Sequence, residues 1–259
     1  MKIFEKIYMG LVLFFLYVPV IVLIVYSFNS GSNYMVYEGF SLKWYGEILK
    51  NSSLMEALKN SIILAFSGSV SAGIIGTLGA YAMSRGKLFM KNAVSYVSIL
   101  TIMIPEIILG MVYMAFFSRL DLGLGMGALI IAHSAFCIPY VLLMVRSRLA
   151  LINTELEEAA YDLGAGKFRT FMDIILPQLV PAIVSGMLLA FAMSFDDVII
   201  SIFLTGSRIN TLPVKINSQL KTIPNPEINV LFTIMLAVTL TVVILLSLLN
   251  RKGKKDNED

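Results

Sequence analysis

Six runs of apolar residues, separated by polar or basic clusters, set out the chain: about 7–28, 60–84, 93–117, 127–146, 179–204 and 229–250. A helix rising about 1.5 Å per residue needs roughly 20 mostly apolar residues to cross the ~30 Å hydrocarbon layer, so each run predicts one spanning helix. The first is bulky throughout (Leu13, Phe14, Phe15, Leu16, Tyr17), longer than a signal-peptide core and followed by no clear cleavage site. It reads as an uncleaved span. In the second, Gly68, Ala72, Gly76 and Ala80 form a stripe of small residues along which another helix can approach closely.

The segment between the fourth and fifth runs is too regular to be a linker. Thr154, with Glu157 three positions on, predicts a capping box. Leu156, Ala159, Ala160 and Leu163 then recur at helical spacing, and Glu155, Glu157 and Glu158 fill the first turns, where the helix dipole favours negative charge. Gly164 stands at the expected C-cap. A second stripe, Phe168, Phe171, Met172 and Ile175, follows until Pro177 limits that helix. Periodicity alone predicts two short amphipathic helices, a pattern that also suits helices lying on lipid headgroups.

Composition agrees with a bilayer. The 259 residues are 58% apolar and 14% charged, against about 25% charged in soluble domains. The formal charge of +3 does not suggest nucleic acid, and its distribution is the informative part. With the N-terminus inside, thirteen of the twenty Lys and Arg fall on the cytoplasmic side, among them the cluster Arg85, Lys87 and Lys91. That asymmetry predicts both termini in the cytoplasm. The tail Arg251–Asp259 reads as disordered. A single Cys137 excludes an internal disulfide and a multi-cysteine metal site. The single His133 reads as a hydrogen-bonded helix-packing residue rather than a ligand. No G-x-x-x-x-G-K-[ST] phosphate loop and no convergent catalytic set occur, so the chain is expected neither to hydrolyse ATP nor to hold a metal or cofactor.

Charges within spans cost about 2.5–3.5 kcal/mol each on insertion scales and mark pathways. Those here are acidic: Glu106 after Pro105 in the third run, and Asp196 and Asp197 toward the outer end of the fifth. No Lys or Arg lies deep in a run to neutralise them, which fits a route for a cation. Consecutive helical residues diverge by about 100°, so one aspartate faces the path while the other caps or packs, and the sequence does not decide which. Tyr113, Phe116 and Phe195 could hold ammonium or alkyl groups on the same path, although packing alone would explain each.

Glu158-Ala159-Ala160, Gly164, Ile174, Leu176 and Pro177, at their spacing, resemble the EAA loop of permeases in binding-protein-dependent ABC importers. PVIVLIVYSFN (Pro19–Asn29), GFSLKWY (Gly39–Tyr45), SFDDVIISIFLTG (Ser194–Gly206), LPVKINS (Leu212–Ser218) and PEINV (Pro226–Val230) are similar, in order, to the spermidine/putrescine branch of that family. Ile104-Pro105-Glu106 looks like a variant of its Ser-Pro-Asp with a longer acid.

The resemblance implies an all-α integral membrane protein with six transmembrane helices in the type I importer permease (MetI-like) fold. Residues 1–57 would be the first helix and outer segment, 58–248 the ABC transmembrane domain with its coupling loop at 154–177, and 249–259 a cytoplasmic tail. It implies that Glu158, Ala159, Ala160, Gly164, Ile174, Leu176 and Pro177 dock a separate ATPase subunit that carries ATP and Mg. Glu106, Tyr113, Phe195, Asp196 and Asp197 would lie on a polyamine path. The implied partners are a homologous permease, two ATPase subunits and an extracytoplasmic polyamine-binding protein, in the cytoplasmic membrane of a bacterium. The binding protein would dock around Arg208–Glu227, where Pro213, Pro224 and Pro226 shape the outer segment. Sister permeases for ferric iron, thiamine or sulfate share the loop but are expected to lack the Asp-Asp and LPVKI segments. A secondary cation transporter would share the acids and have no use for the loop.

Overall fold

The computed structural model of the chain describes residues 2–33, 36–86, 89–207, 209–221 and 226–255, with side chains described between 4 and 248. Lys87, Arg208, Pro224 and the side chains of the tail lie outside the described residues. Among the described residues all regular structure is helical: α1 (Lys2–Ser27), α2 (Lys43–Lys50), α3 (Ser52–Arg85), α4 (Lys91–Met103), α5 (Glu106–Arg119), α6 (Met126–Leu149), α7 (Glu155–Asp162), α8 (Lys167–Thr170), α9 (Leu176–Asp196), α10 (Ile199–Leu204), α11 (Leu212–Leu220) and α12 (Glu227–Lys255). Among the described residues five helical stretches are long and apolar enough to cross a membrane, and six if the bent pair α4–α5 is counted as one span. The apolar window of α1 holds no fully buried residue: α1 packs on α12 along one side and leaves the rest of its apolar surface for lipid or another subunit.

The centre is a three-helix contact of α3, α6 and α9, and the small-residue stripe makes it. Gly68, Ala72, Gly76 and Ala80 are all buried. A Cβ added at Gly76 would lie 2.9 Å from Val141 Cβ and 3.1 Å from the Leu142 nitrogen, so α3 meets the backbone of α6 there. Gly186 of α9 abuts Val141 from the other side, at 3.2 Å from its Cα for an added Cβ. In a bilayer, where lipid tails are as apolar as leucine, this close packing holds helices together. A second cluster gathers at the opposite end from α7. There Ile48, Leu54, Phe191, Phe195, Leu212, Ile216, Ile228 and Leu231 join α2, α3, α9, α11 and α12.

Four local expectations are corrected. The third run is not one straight helix: α4 and α5 meet at 112°, because Pro105 removes an N–H and pushes Ile104 into extended backbone (ψ 131°). The fifth breaks after Asp196, where Asp197 turns extended (ψ 124°) and α10 sets off anew. Pro177 does not end its helix. A π-helical turn, Phe171–Ile175, carries the chain from α8 directly into α9, and its wider bonding tolerates the proline, while the Gln178 side chain donates to the Ile174 carbonyl at 2.8 Å. The capping box at Thr154 does not form. Asn153 Oδ1 accepts from the Glu155 N–H at 3.1 Å instead, and Glu157 is engaged elsewhere. Gly164 does take the left-handed conformation (φ 85°) that closes α7, with its N–H and that of Ala165 returned to the Tyr161 and Ala160 carbonyls.

Gly76→Val should destabilise the purified protein by about 1–3 kcal/mol, the usual range for overpacking. Gly127→Val, where nothing lies within 4 Å of the added Cβ, is the control. Thermal unfolding followed by size-exclusion fluorescence in detergent measures the difference, and equal midpoints for the two variants would show that the α3–α6 contact is not tight.

Candidate functional site

The break between α9 and α10 assigns the two aspartates opposite roles. Asp197 is buried and turns its carboxylate onto the start of α10. Its Oδ1 accepts from the Ile200 N–H at 3.2 Å, and its Oδ2 accepts from the Ser201 N–H at 2.8 Å and the Ser201 hydroxyl at 2.9 Å. Asp196, one residue earlier, is exposed and caps nothing. It opens on a cleft of about 500 Å³ lined by Glu106, Ala192, Met193, Asp196, Asp197, Val198 and Ile199.

Glu106 reaches this cleft because of the proline break. Pro105 makes it the first residue of α5, and α5 packs against α10 through Gly110, where an added Cβ would lie 2.5 Å from the Phe203 ring. The absent side chain thus lets α5 lie close enough to α10 for Glu106 to face the end of α9. Asp196 also borders an apolar cleft of about 330 Å³ between α1, α9 and α12, whose walls include Val20, Leu23, Phe232, Met235 and Thr239. No Lys, Arg or His is among the residues lining either cleft.

His133 of α6 stands behind Asp197, fully buried. Its Nδ1 shares a hydrogen bond with the Ser194 hydroxyl at 2.8 Å, its Nε2 shares one with the Ser201 hydroxyl at 3.2 Å, and Nε2 lies 3.5 Å from Asp197 Oδ2. Gly68 of α3 closes the group from the far side, 3.4 Å from His133 Cβ and 3.6 Å from Ser194 Oγ for an added Cβ. These bonds tie α6 to α9 and α10 and fix the angle of the break, since buried polar networks rigidify when every member is satisfied.

The aromatic candidates fare differently. Phe195 is 1% exposed and stacks on Phe191 with ring centroids 5.6 Å apart in the second hydrophobic cluster, so it lines neither cleft. Tyr113 is half-buried against the central core, and Phe116 is exposed on α5 with its ring edge-on to Phe117.

At the other end of the bundle, Glu158, Ala159 and Gly164 are exposed, Ala160 is buried, and Ile174 and Leu176 are half-buried, with Pro177 exposed. Of the apolar stripe, Leu156 and Leu163 face outward together with Phe168 of the next helix, leaving this end of the chain an unpartnered apolar face fringed by acids.

Sequence reasoning missed the residues that support these sites. Ser194 and Ser201 looked like ordinary span residues. Ser201 stands four residues after Asp197 and Ser194 three before it, a local spacing that could have suggested a cap. The pairing of Arg85 with Glu157, at 2.6 Å, crosses 72 residues and leaves no such local trace.

The family model for binding-protein-dependent transport system inner membrane components matches residues 72–252. The spermidine/putrescine transport system permease protein PotC of Haemophilus influenzae is 39% identical over 246 residues, covering 95% of this chain and 96% of that protein. The putrescine transport system permease protein PotI of Escherichia coli is 37% identical over 229 residues, 86% of this chain and 82% of that protein. Among solved structures, a bacterial ABC transporter involved in the import of the acidic polysaccharide alginate matches with a TM-score of 0.72, over 96% of this chain and 95% of that one, at 16% identity. The MetNI methionine ABC transporter in an inward-facing conformation matches with a TM-score of 0.63, over 83% and 99%, at 19% identity. At such identities the structures speak for the fold alone.

Asp197→Ala leaves two N–H groups unmatched in a buried site, and should destabilise the protein by about 1–3 kcal/mol. Asp196→Ala should leave the melting temperature nearly unchanged. Differential scanning fluorimetry of the two variants checks the assignment, and a larger loss for Asp196→Ala would reverse it.

Proposed function

The chain belongs to the binding-protein-dependent transport system inner membrane components, and from that membership we propose that it is one permease half of an ATP-driven importer for polyamines, spermidine or putrescine. The observation that carries the cargo is the meeting of Glu106 and Asp196 at one cleft with no basic residue on its walls, beside an apolar cleft that shares Asp196. A polyamine is a flexible alkane bearing two or more ammonium groups. Spaced carboxylates match its charges, and the apolar wall formed by Phe232 and Met235 matches its methylenes. The relatives named for spermidine and putrescine transport support the same cargo.

In this reading Asp196 is the carboxylate that meets the cargo, Glu106 is the second anchor, and Asp197 shapes the site from behind. The chain hydrolyses nothing itself. ATP and Mg belong to two separate ATPase subunits, which dock on the outward-facing side of α7, at Glu158 and Ala159, with the Gly164 turn and the exposed Leu163 and Phe168 around it. A homologous permease completes the pathway, covering apolar surface such as that of α1. A polyamine-binding protein delivers cargo to the segment around α11. The membrane is the bacterial cytoplasmic membrane, with both termini inside. Closure of the ATPases then moves α7 as a rigid body and opens the cleft alternately to the two sides.

Uptake of labelled spermidine and putrescine, in cells lacking their own polyamine importers and expressing the whole complex, tests the reading. Asp196→Asn should lower uptake at least about tenfold with the complex intact, since one charge-assisted contact is worth roughly 1.5–3 kcal/mol. Glu158→Lys should abolish uptake by weakening ATPase association, read by co-purification. An assembled wild-type complex that carries no polyamine would send the cargo to another class. Unchanged ATPase association in Glu158→Lys would remove that residue from the docking surface.

A further inference from the structure

Beyond the docking surface lies the question of how motion of α7 reaches a cleft midway along the spans. We propose that Arg85 and Glu157 form a joint that fastens α7 to α3, and that α3 is the rod carrying the movement to the acid cleft. This rests on the importer reading above and assigns roles to residues that the reading itself does not use.

The joint is built for load. Arg85 Nε donates to Glu157 Oε1 at 2.6 Å, and Arg85 Nη2 donates to the Ile152 carbonyl at 3.1 Å, so one guanidinium holds both α7 and the turn that leads into it. The Glu157 side chain is 7% exposed and that of Arg85 21%, so the pair is shielded from the water and salt that weaken surface pairs. One turn back along α3, the Tyr81 ring packs against Phe171, tilted at 52° with centroids 4.6 Å apart, which adds a contact to the π turn. Glu157 precedes the exposed Glu158 and, turned about 100° from it around the helix, is buried against the bundle. The docking helix therefore offers one acid outward and clamps the next one in.

The rod has the stiffness the role needs. α3 runs unbroken and without proline from Ser52 to Arg85, whereas α1, α6 and α9 each carry an internal proline and the α4–α5 pair is bent at Pro105. Along it, Gly76 touches α6, Gly73 meets Met187 of α9, and Gly68 abuts His133, whose Nε2 lies 3.5 Å from Asp197 Oδ2, and Ser194, which bonds His133 Nδ1. From Arg85 to Gly68 is 17 residues, or about 25 Å at 1.5 Å per residue. At Gly76 and Gly68 the contacts reach Cβ and backbone atoms of α6 rather than the ends of flexible side chains, and such contacts pass a shift on, so displacement of α3 at Arg85 reaches the network that sets the break beside Asp196. Arg85, Glu157 and Gly68 are positioning residues in this scheme, and none of them touches cargo.

The test uses the complete complex in lipid nanodiscs, with Arg85→Glu, Glu157→Arg and the double exchange. Each single variant should still co-purify with its ATPases. Each should lose stimulation of ATP hydrolysis by loaded binding protein, and uptake in vesicles, by about tenfold, in the middle of the range for coupling between sites. The double exchange should recover most of both. Single variants that behave as wild type, or an exchange that assembles but recovers nothing, would overturn the joint. Lost co-purification in the singles would overturn it too, by making the pair a prop for the docking surface. Spin labels at the exposed Lys59, on the far end of α3, and Leu240, on α12, separate this from any error about cargo, because ATP-driven closure needs none. Their distance should change on ATP trapping in the wild type and the exchange and stay fixed in the singles; a change in the singles would refute the role of α3. A wild type that closes but carries no polyamine would count against the cargo alone.

Discussion

Hydrocarbon offers no hydrogen-bonding partner, so wherever a spanning helix breaks, the protein itself must satisfy the freed backbone groups. Asp197 meets that constraint at the α9–α10 break, and the site depends on it. Its two oxygens take two N–H groups and a hydroxyl, and His133 stands against them, bonded to the two serines on either side of the break. With this carboxylate fully engaged, α9 stops at Asp196 and leaves that residue exposed. α10 departs at an angle that brings it to α5, and the first residue of α5 is Glu106. The structure spends one acid on architecture so that two others can face a shared cleft.

Glycine does for the long helices what Asp197 does for the break. Where α6 passes α3 and α9, absent side chains at Gly76 and Gly186 bring backbones together and pack the centre of the bundle tightly. A permease in a binding-protein-dependent importer has to relate two surfaces separated by a membrane. The end bearing α7 shows exposed apolar side chains and acids, and the opposite end is closed by the cluster around Phe195. Between them lie the acid cleft and the buried His133 network.

Much of this was legible in the residues. Apolar runs of sufficient length gave the spans, because crossing a fixed thickness is a one-dimensional requirement. The small-residue stripe announced a close contact, and the loop at 154–177 showed its helices and its Gly164 turn through spacing alone. The acids stood out because charge in a span is costly. Local chemistry misled where a residue had two possible partners. Glu157 fits a capping box by position, yet its carboxylate lies against Arg85, and an ion pair shielded from water outbids a cap available three residues away. Pro177 signals a stop, yet a π turn lets the helix pass, with the proline in the first turn of α9, where its missing N–H matters least.

The sequence by itself determined which segments are apolar enough for the membrane, which loop is structured, and which three acids have to be explained. Each of these is a property of one segment and its solvent. Only the tertiary structure decided that Asp196 faces the cleft while Asp197 caps, that Phe195 belongs to a core, and that Glu106 reaches the same space across a 112° bend. It also decided that Arg85 holds Glu157. Adjacent residues on a helix differ only in direction, and direction acquires meaning when other helices pack around them. Pairing across 72 residues depends on where those helices come to rest.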